Sequence, residues 1–391
     1  MSAGGIAARL YRGEAGVDIV GRRKIWFIVA GIAIAIAIAS MLVRGFTLGI
    51  EFEGGNQYNV PVKVGTLEQV EAAFADAGVS VKTGQTVGDS QYIIKTELIN
   101  DPVRQTEIKN SVAQHFSIDA NQISDSAVST SWGGQVTDKA ALSLAIFLGV
   151  VLVYLIARFE WRMAAAAVAS LLLDLVLTGG VYSLVGFEVS PSTVIGFLTI
   201  LGFALYDVVV VFDKVQENTR GITGSSTSTY AEAANLAVNQ TLMRSINTGL
   251  VALLPVGGLL FIGAGLLGAG TLKDLGLVLF IGMGVAVYSS IFFATPVLAE
   301  LKSREPRLQA HATRVQAKRT AQAKEAANKT QTVARDSDGV PIGSGGPAKS
   351  LERSELAGAA PRPGARPAAR PGQGKRPRAG GRPGGGGSGR R

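Results

Sequence analysis

The stretch TVIGFLTILGFALYDVVVVFDKVQEN, Thr193 to Asn218, decides the fold. From Thr193 to Phe212 it is apolar except for two threonines, Tyr206 and one acid, Asp207. A helix crossing a membrane needs about 20 such residues for about 30 Å of hydrocarbon. Asp207 stands five residues inside the apolar end at Phe212, a depth of roughly 7–9 Å at about 1.5 Å per residue. Carboxylates at that depth are costly, and they face a bundle interior or a water-filled path. Two readings stand: a structural acid satisfied by a neighbouring helix, or a carboxylate that carries protons.

Five more runs of this kind flank it, so the sequence predicts an α-helical integral membrane protein with six transmembrane helices. Residues 1–24 carry Arg9, Arg12, Arg22, Arg23 and Lys24, and 25–43 is a charge-free apolar run. Its length favours a retained anchor over a cleaved signal peptide ending near Ala39. The later runs are 140–157, 163–185, 193–212, 242–262 and 275–298, within a membrane domain of 139–300. Arg158, Arg162, Lys214, Arg220, Lys302, Arg304 and Arg307 fall on the side of the basic N-terminus. That bias predicts both termini in the cytoplasm of a plasma-membrane protein. Glycines at 179, 180, 196, 202, 257, 258, 276, 282 and 284 lie in or beside the runs. They suit close helix packing, and Gly-x-Gly at 282–284 is no nucleotide loop, since no strand precedes it.

Residues 44–138 form the one large loop, acidic with 6 Lys/Arg against 12 Asp/Glu. Strands are predicted at 52–64, 79–87, 92–96 and 124–130. Helices are predicted at 67–77, capped by Thr66 with Val70, Ala73 and Phe74 on one face, and from Pro102 toward Phe116 with Val103, Ile108 and Val112 apolar. The order β-α-β-β-α-β predicts a small α+β, ferredoxin-like extracytoplasmic domain after the first helix. Between the fourth and fifth runs, Thr229 to Asn239 is predicted as a helix lying on the cytoplasmic surface.

The composition excludes several chemistries. The chain of 391 residues has no cysteine and only two histidines, His115 and His311. A zinc hydrolase or a Ser–His–Asp enzyme is therefore not expected. An intramembrane aspartyl protease needs a second acid in a Gly-x-Gly-Asp setting; Tyr206-Asp207 supplies one half and nothing supplies the other. Hydrophobic residues make up 47%, yet the net charge of +9 is concentrated at one end. Residues 301–391 hold 20 Lys/Arg against 6 Asp/Glu (+14), the rest 18 against 23 (−5). This basic tail is expected to be disordered beyond a basic helix at 309–332. It is read either as contact with anionic lipid or a ribosome, or as a solvating tail.

Three groups inside the spans need partners: Asp174, Asp207 and Arg244. Asn247 and Thr248 share the helix face of Arg244 at i+3 and i+4. The simplest arrangement sets that face against Asp207; the other has Arg244 reaching out to the interface. In the first, burial and the Arg244 cation act on Asp207 in opposite senses, as proton coupling requires. Asp174 is read as a structural polar link or an accessory relay. Asp213, off the Asp207 face, is read as a contact at the helix end.

Three segments carry a family resemblance. Leu48 to Gly55, LGIEFEGG, with Gly49, Glu51, Gly54 and Gly55, resembles the motif opening the external domain of the SecD/SecF family. Gly202 to Asn218 resembles its fourth-span motif, and Asn239 to Thr248, NQTLMRSINT, its fifth-span motif. The resemblance covers roughly residues 10–300 and points to the SecF branch. It implies a half-transporter of the resistance–nodulation–division superfamily, paired with SecD across a repeat interface. It implies no enzyme and no cofactor, but use of the proton-motive force to promote preprotein translocation by the Sec channel (SecY, SecE, SecG), with a YidC-type insertase as a further partner. It places the proton-path acid at Asp207 and the arginine at Arg244. Tyr206 stands where the family often has Asn, and Val208 where a hydroxyl residue often follows; the basic tail lies outside the common pattern. Two other readings are a passive scaffold for the channel and half of a related lipid or small-molecule exporter. The exporter would need a second large external domain, and the later loops are only GFEVSP and GAGLLGAGTLKD. Gly54 and Gly55 are expected to allow close strand or hinge geometry.

Overall fold

The computed structural model describes residues 16–88, 90–266 and 270–337. The Pro/Gly/Arg-rich end of the tail lies outside them. Six helical stretches are long and apolar enough to cross a membrane: Arg23–Arg44, Thr130–Arg158, Trp161–Val185, Pro191–Gly224, Tyr230–Gly265 and Leu272–Ser303. Numbered one to six in chain order, these spans all exceed the apolar runs that mark them. Local capping explains the difference. Ser129 accepts a hydrogen bond from the Trp132 amide and starts span two as α5 (Thr130–Arg158), well before the run at Ala140.

Span one is α1 (Arg23–Arg44). Span three is α6 (Trp161–Val185), closed by Gly186 in the left-handed region. Span four, α7 (Pro191–Thr219), has proline in its first turn and a Ser190–Thr193 capping box; proline suits a first turn because its missing N–H has no helical partner there. Span five, α8 (Tyr230–Gly257), passes into a π-helical segment, Gly258–Leu266, just after the internal Pro255. The helix expected to lie on the membrane surface at Thr229–Asn239 is instead the first part of α8. A Thr229–Glu232 capping box starts it, and no glycine or proline interrupts it before Gly249. Span six is α9 (Gly270–Ser289), a π-helical segment Ser290–Ala294, and α10 (Thr295–Ser303). Then α11 (Pro306–Ser337) follows, and it contains the basic helix expected at 309–332.

Between spans one and two lies an antiparallel sheet of β2 (Gly55–Pro61), β3 (Val81–Val87), β4 (Gln91–Thr96) and β5 (Ser124–Val128), in the order β3-β4-β2-β5. Helices α3 (Leu67–Asp76) and α4 (Pro102–His115) complete it. Its core is Tyr58, Val60, Val70, Phe74, Ile94, Ile108, Val112 and Ile123, each large side chain worth about 1.5–3 kcal/mol when buried. Val103 points outward, at the exposed start of α4. The strand expected from Phe52 begins only at Gly55. Before it Ile50–Glu53 forms a short helix, α2, ended by Gly54 at φ 82°, a conformation that favours glycine.

Backbone contacts tie the domain to the bundle. Thr47–Leu48 (β1) pairs in parallel with Glu188–Val189 (β6), the turn between spans three and four. Gly133 of α5 lets the Phe52 carbonyl approach so closely that a Cβ there would lie 2.3 Å from its oxygen. In the bundle, span three is the most enclosed, with Ala164, Ala166, Ala167 and Leu171 buried. Glycines bring helices together at Gly180 against Ala37, Gly196 against Val278, Gly282 against Ile200 and Gly249 against Val287. Gly202, Gly258 and Gly284 face open space. Ile146, Val150 and Val153 of α5 and Leu250, Val251 and Leu254 of α8 point outward, as lipid contact requires.

Candidate proton site in the helix bundle

Asp207 lies inside the bundle and is only 2% exposed. Each carboxylate oxygen accepts one hydrogen bond. Ser245 Oγ of span five donates to Oδ1 at 2.8 Å, and Ser290 Oγ of span six donates to Oδ2 at 2.5 Å. Three spans therefore meet at one carboxylate through neutral donors. A hydroxyl donates to a carboxylate and accepts from a carboxylic acid, so the cradle serves both protonation states.

Arg244 is not the partner of Asp207. Its Nη2 donates to the Tyr206 hydroxyl at 3.2 Å on the outside of the bundle, where Tyr206 is 50% exposed. The cause is helical rotation of about 100° per residue. Asp207 faces inward, so Tyr206 faces outward; Ser245 faces inward, so Arg244 faces outward. Asn247 and Thr248 share the Arg244 side, Asn247 exposed and Thr248 half-buried. The result is a polar strip on an otherwise apolar outer surface.

Asp174 sits in span three, 1% exposed, and neither oxygen has a hydrogen-bond partner among the described residues. Asp213 is exposed at the end of α7 and pairs with Arg158 Nη2 at 2.5 Å; exposed pairs of this kind contribute about 0–1 kcal/mol. Ser245, Ser289 and Ser290 escape a reading of charge, because serine barely alters hydropathy. Ser245 follows Arg244 directly, and 289–290 is the one Ser-Ser pair in the sixth run.

Asn239, in the fifth-span motif, does something else. Its side chain accepts from the Val17 amide at 3.0 Å and donates to the Val17 carbonyl at 2.9 Å. Asn235 accepts from the amides of Ile19 and Val20. The chain entering span one is thus strapped to span five.

The LGIEFEGG segment builds the mount of the α+β domain. A Cβ at Gly55 would lie 2.5 Å from the Thr96 carbonyl oxygen, and one at Gly49 2.4 Å from Glu51 Oε2. Glu51 and Glu188 hold Lys95 at 3.5 and 2.5 Å. Gln85 adds a hydrogen bond to Glu188, and Lys273 reaches Gln85. Burial lowers the Lys95 ammonium, but Glu188 and Glu51 outweigh it and hold it above its ordinary value of 10.5. Burial pushes the Glu188 carboxyl up, with Lys95 opposing. Among the described residues no group of three or more His, Asp and Glu is placed to hold a metal ion.

Residues 107–304 match the family described as "Protein export membrane protein SecD/SecF, C-terminal", and residues 39–64 match "SecD/SecF GG Motif". The chain is 47% identical over 317 residues to the protein translocase subunit SecF of Streptomyces coelicolor, covering 81% of this chain and 85% of that one. It is 42% identical over 377 residues to the SecF subunit of Mycobacterium tuberculosis (strain CDC 1551), covering 92% and 85%. A crystal structure of SecDF, a translocon-associated membrane protein from Thermus thermophilus, superposes with a TM-score of 0.64 at 26% identity, over 74% of this chain and 39% of that one.

Proposed function

We infer the function from one premise: this chain belongs to the SecD/SecF family of protein-export membrane proteins. It is a multi-pass membrane protein with an accessory role in Sec translocation. Our further reading is that it couples the proton gradient to preprotein movement, with Asp207 as the proton-carrying group. The observation that carries this is the cradle of Asp207: a buried carboxylate held, among the described residues, by Ser245 and Ser290 on two other spans. Gaining a proton turns one donor into an acceptor, so the positions of three helices depend on the charge of one side chain. A proton crossing the membrane releases about 2.3 kcal/mol per 100 mV, enough over a few protons to drive such a shift.

The outer strip supports a second half as partner. A lone arginine against lipid is costly, and the Tyr206, Arg244 and Asn247 strip has no cover among the described residues. The Thermus thermophilus relative is a SecDF protein of which this chain spans 39%. We read SecD as the missing half, docked on this strip, with Arg244 approaching the shared interface from outside. The strand order β3-β4-β2-β5 supports a ferredoxin-like domain, and the arginine-rich flanks support its placement outside the cytoplasm, both termini inside. SecY, SecE, SecG, a YidC-type insertase and translocating preproteins are the further partners of this reading, and the proton gradient is its only cofactor.

The test is Asp207→Asn in a SecF-depleted host, scoring export of a slow preprotein with protein accumulation checked. The reading expects normal accumulation with export lost. Normal export would leave the chain a passive scaffold.

A further inference from the structure

The inner face of span three is polar as well as buried. Ser170, Asp174 and Thr178 follow at i, i+4 and i+8, each no more than 1% exposed. Neither the Asp174 oxygens nor Thr178 Oγ1 has a hydrogen-bond partner among the described residues. Ser170 Oγ donates to Ser289 Oγ of span six at 3.3 Å. The Ser289 hydroxyl, which donates to the Ala286 carbonyl at 3.1 Å, lies within electrostatic reach of Asp174. The next residue, Ser290, is the one that donates to Asp207. Span six thus places two consecutive hydroxyls in the region between the two buried acids, where its backbone changes from α- to π-helical at Ser290. Single π turns inside helices recur at functional sites.

Three alternatives are weaker. A structural link would use the Asp174 oxygens, and they hold no hydrogen bond among the described residues. A charge pair needs a cation, and among the described residues Asp174 forms no ion pair. A metal site needs more ligands than one carboxylate and its hydroxyl neighbours. An ionised carboxylate without donors is expensive in such a place. The neutral acid suits it, and Asp174 lies nearer the domain-bearing end of span three than Asp207 does to the matching end of span four.

We propose that Asp174 is a second proton-binding carboxyl, which feeds Asp207 across the Ser289–Ser290 step of span six. It rests on the reading of Asp207 as the proton carrier. Asp174 takes one proton from the domain-bearing side and becomes the neutral acid. When Asp207 has released its own proton, Asp174 gives one up and returns to the carboxylate. To pass the proton, Ser289 turns its hydroxyl from the Ala286 carbonyl toward Ser290; each serine then accepts a proton on a lone pair as it releases its hydroxyl proton onward, so the serines end unchanged and Asp207 ends protonated. Thr178, one turn from Asp174 toward the domain, marks the entry.

The experiment combines infrared spectroscopy of the full chain in lipid vesicles with export in the depleted host, for Asp174→Asn, Asp174→Glu, Ser289→Ala and Asp207→Asn. Asp174→Asn is expected to remove one protonated-carboxyl band that Asp207→Asn retains, and to slow export about tenfold or more. Asp174→Glu restores export; Ser289→Ala slows it while keeping the band. The proposal is overturned if Asp174→Asn removes no such band, or if Asp174→Asn and Ser289→Ala both export at the parental rate. If Asp207→Asn stops export while those two do not, this proposal alone fails; normal export by Asp207→Asn fails the reading beneath it.

Discussion

Ser245 Oγ donates to Asp207 Oδ1 across 2.8 Å, and this contact, not an arginine pair, joins spans four and five at the buried acid. Removing the hydroxyl by Ser245→Ala leaves a buried oxygen without its donor, a loss of about 1–3 kcal/mol. The expected result is a lower unfolding midpoint in detergent and slower export at unchanged accumulation. Unchanged midpoint and export would mean that the contact has no role.

Arg244 and Tyr206 lie on the outer surface, so their loss should spare the folded chain and weaken its assembly. Arg244→Ala is expected to leave thermal stability within about 0.5 kcal/mol, the usual range for surface changes, and to reduce co-purification with SecD. A stability loss with intact assembly would place Arg244 in the folding of this half instead.

The six spans and the α+β domain were legible because apolar runs and strand–helix alternation report directly on burial. Asp207 was legible for the same reason: a charge inside a run has to be explained. Its partners were not. Arg244 and Ser245 are adjacent, so they point about 100° apart, and nothing in the sequence fixes the rotation of α8. The arginine drew attention by its charge, while Ser245 and Ser290 carry no such mark. Helix ends were also misplaced, since Ser129 and Thr229 extend spans two and five through polar residues that hydropathy assigns elsewhere. The strap of Val17 to Asn239 joins residues too far apart in the chain for local pattern to show.

Lys95 is the cation of the domain mount. Lys95→Met leaves Glu188 and Glu51 facing each other without it. We expect faster proteolysis between residues 44 and 130, with the spans intact. The pH dependence follows in sign. The folded-state value of Lys95 is above its ordinary 10.5, so its contribution is fully present below that pH and fades as pH rises through the raised value. Proteolysis of the parent should therefore approach that of Lys95→Met only in strong alkali. Convergence near neutrality would contradict the assignment.

Gly180 packs span three against span one, where a Cβ would sit 2.2 Å from Ala37 Cβ and 2.7 Å from its Cα. Backbone cannot give way as a side-chain tip can. Gly180→Val is expected to cost about 1–3 kcal/mol by overpacking, whereas Gly202→Ala, facing open space, should be neutral. Midpoints in detergent compare the two.

The most direct test of the account is export into membrane vesicles carrying Asp207→Asn together with the partner subunits, measured with an imposed proton gradient and again after an ionophore collapses it. Asparagine keeps the size and removes the titratable proton. The account predicts that the gradient accelerates export by the parent and leaves Asp207→Asn at its collapsed-gradient rate. Equal acceleration in both would contradict it and move the proton path away from Asp207.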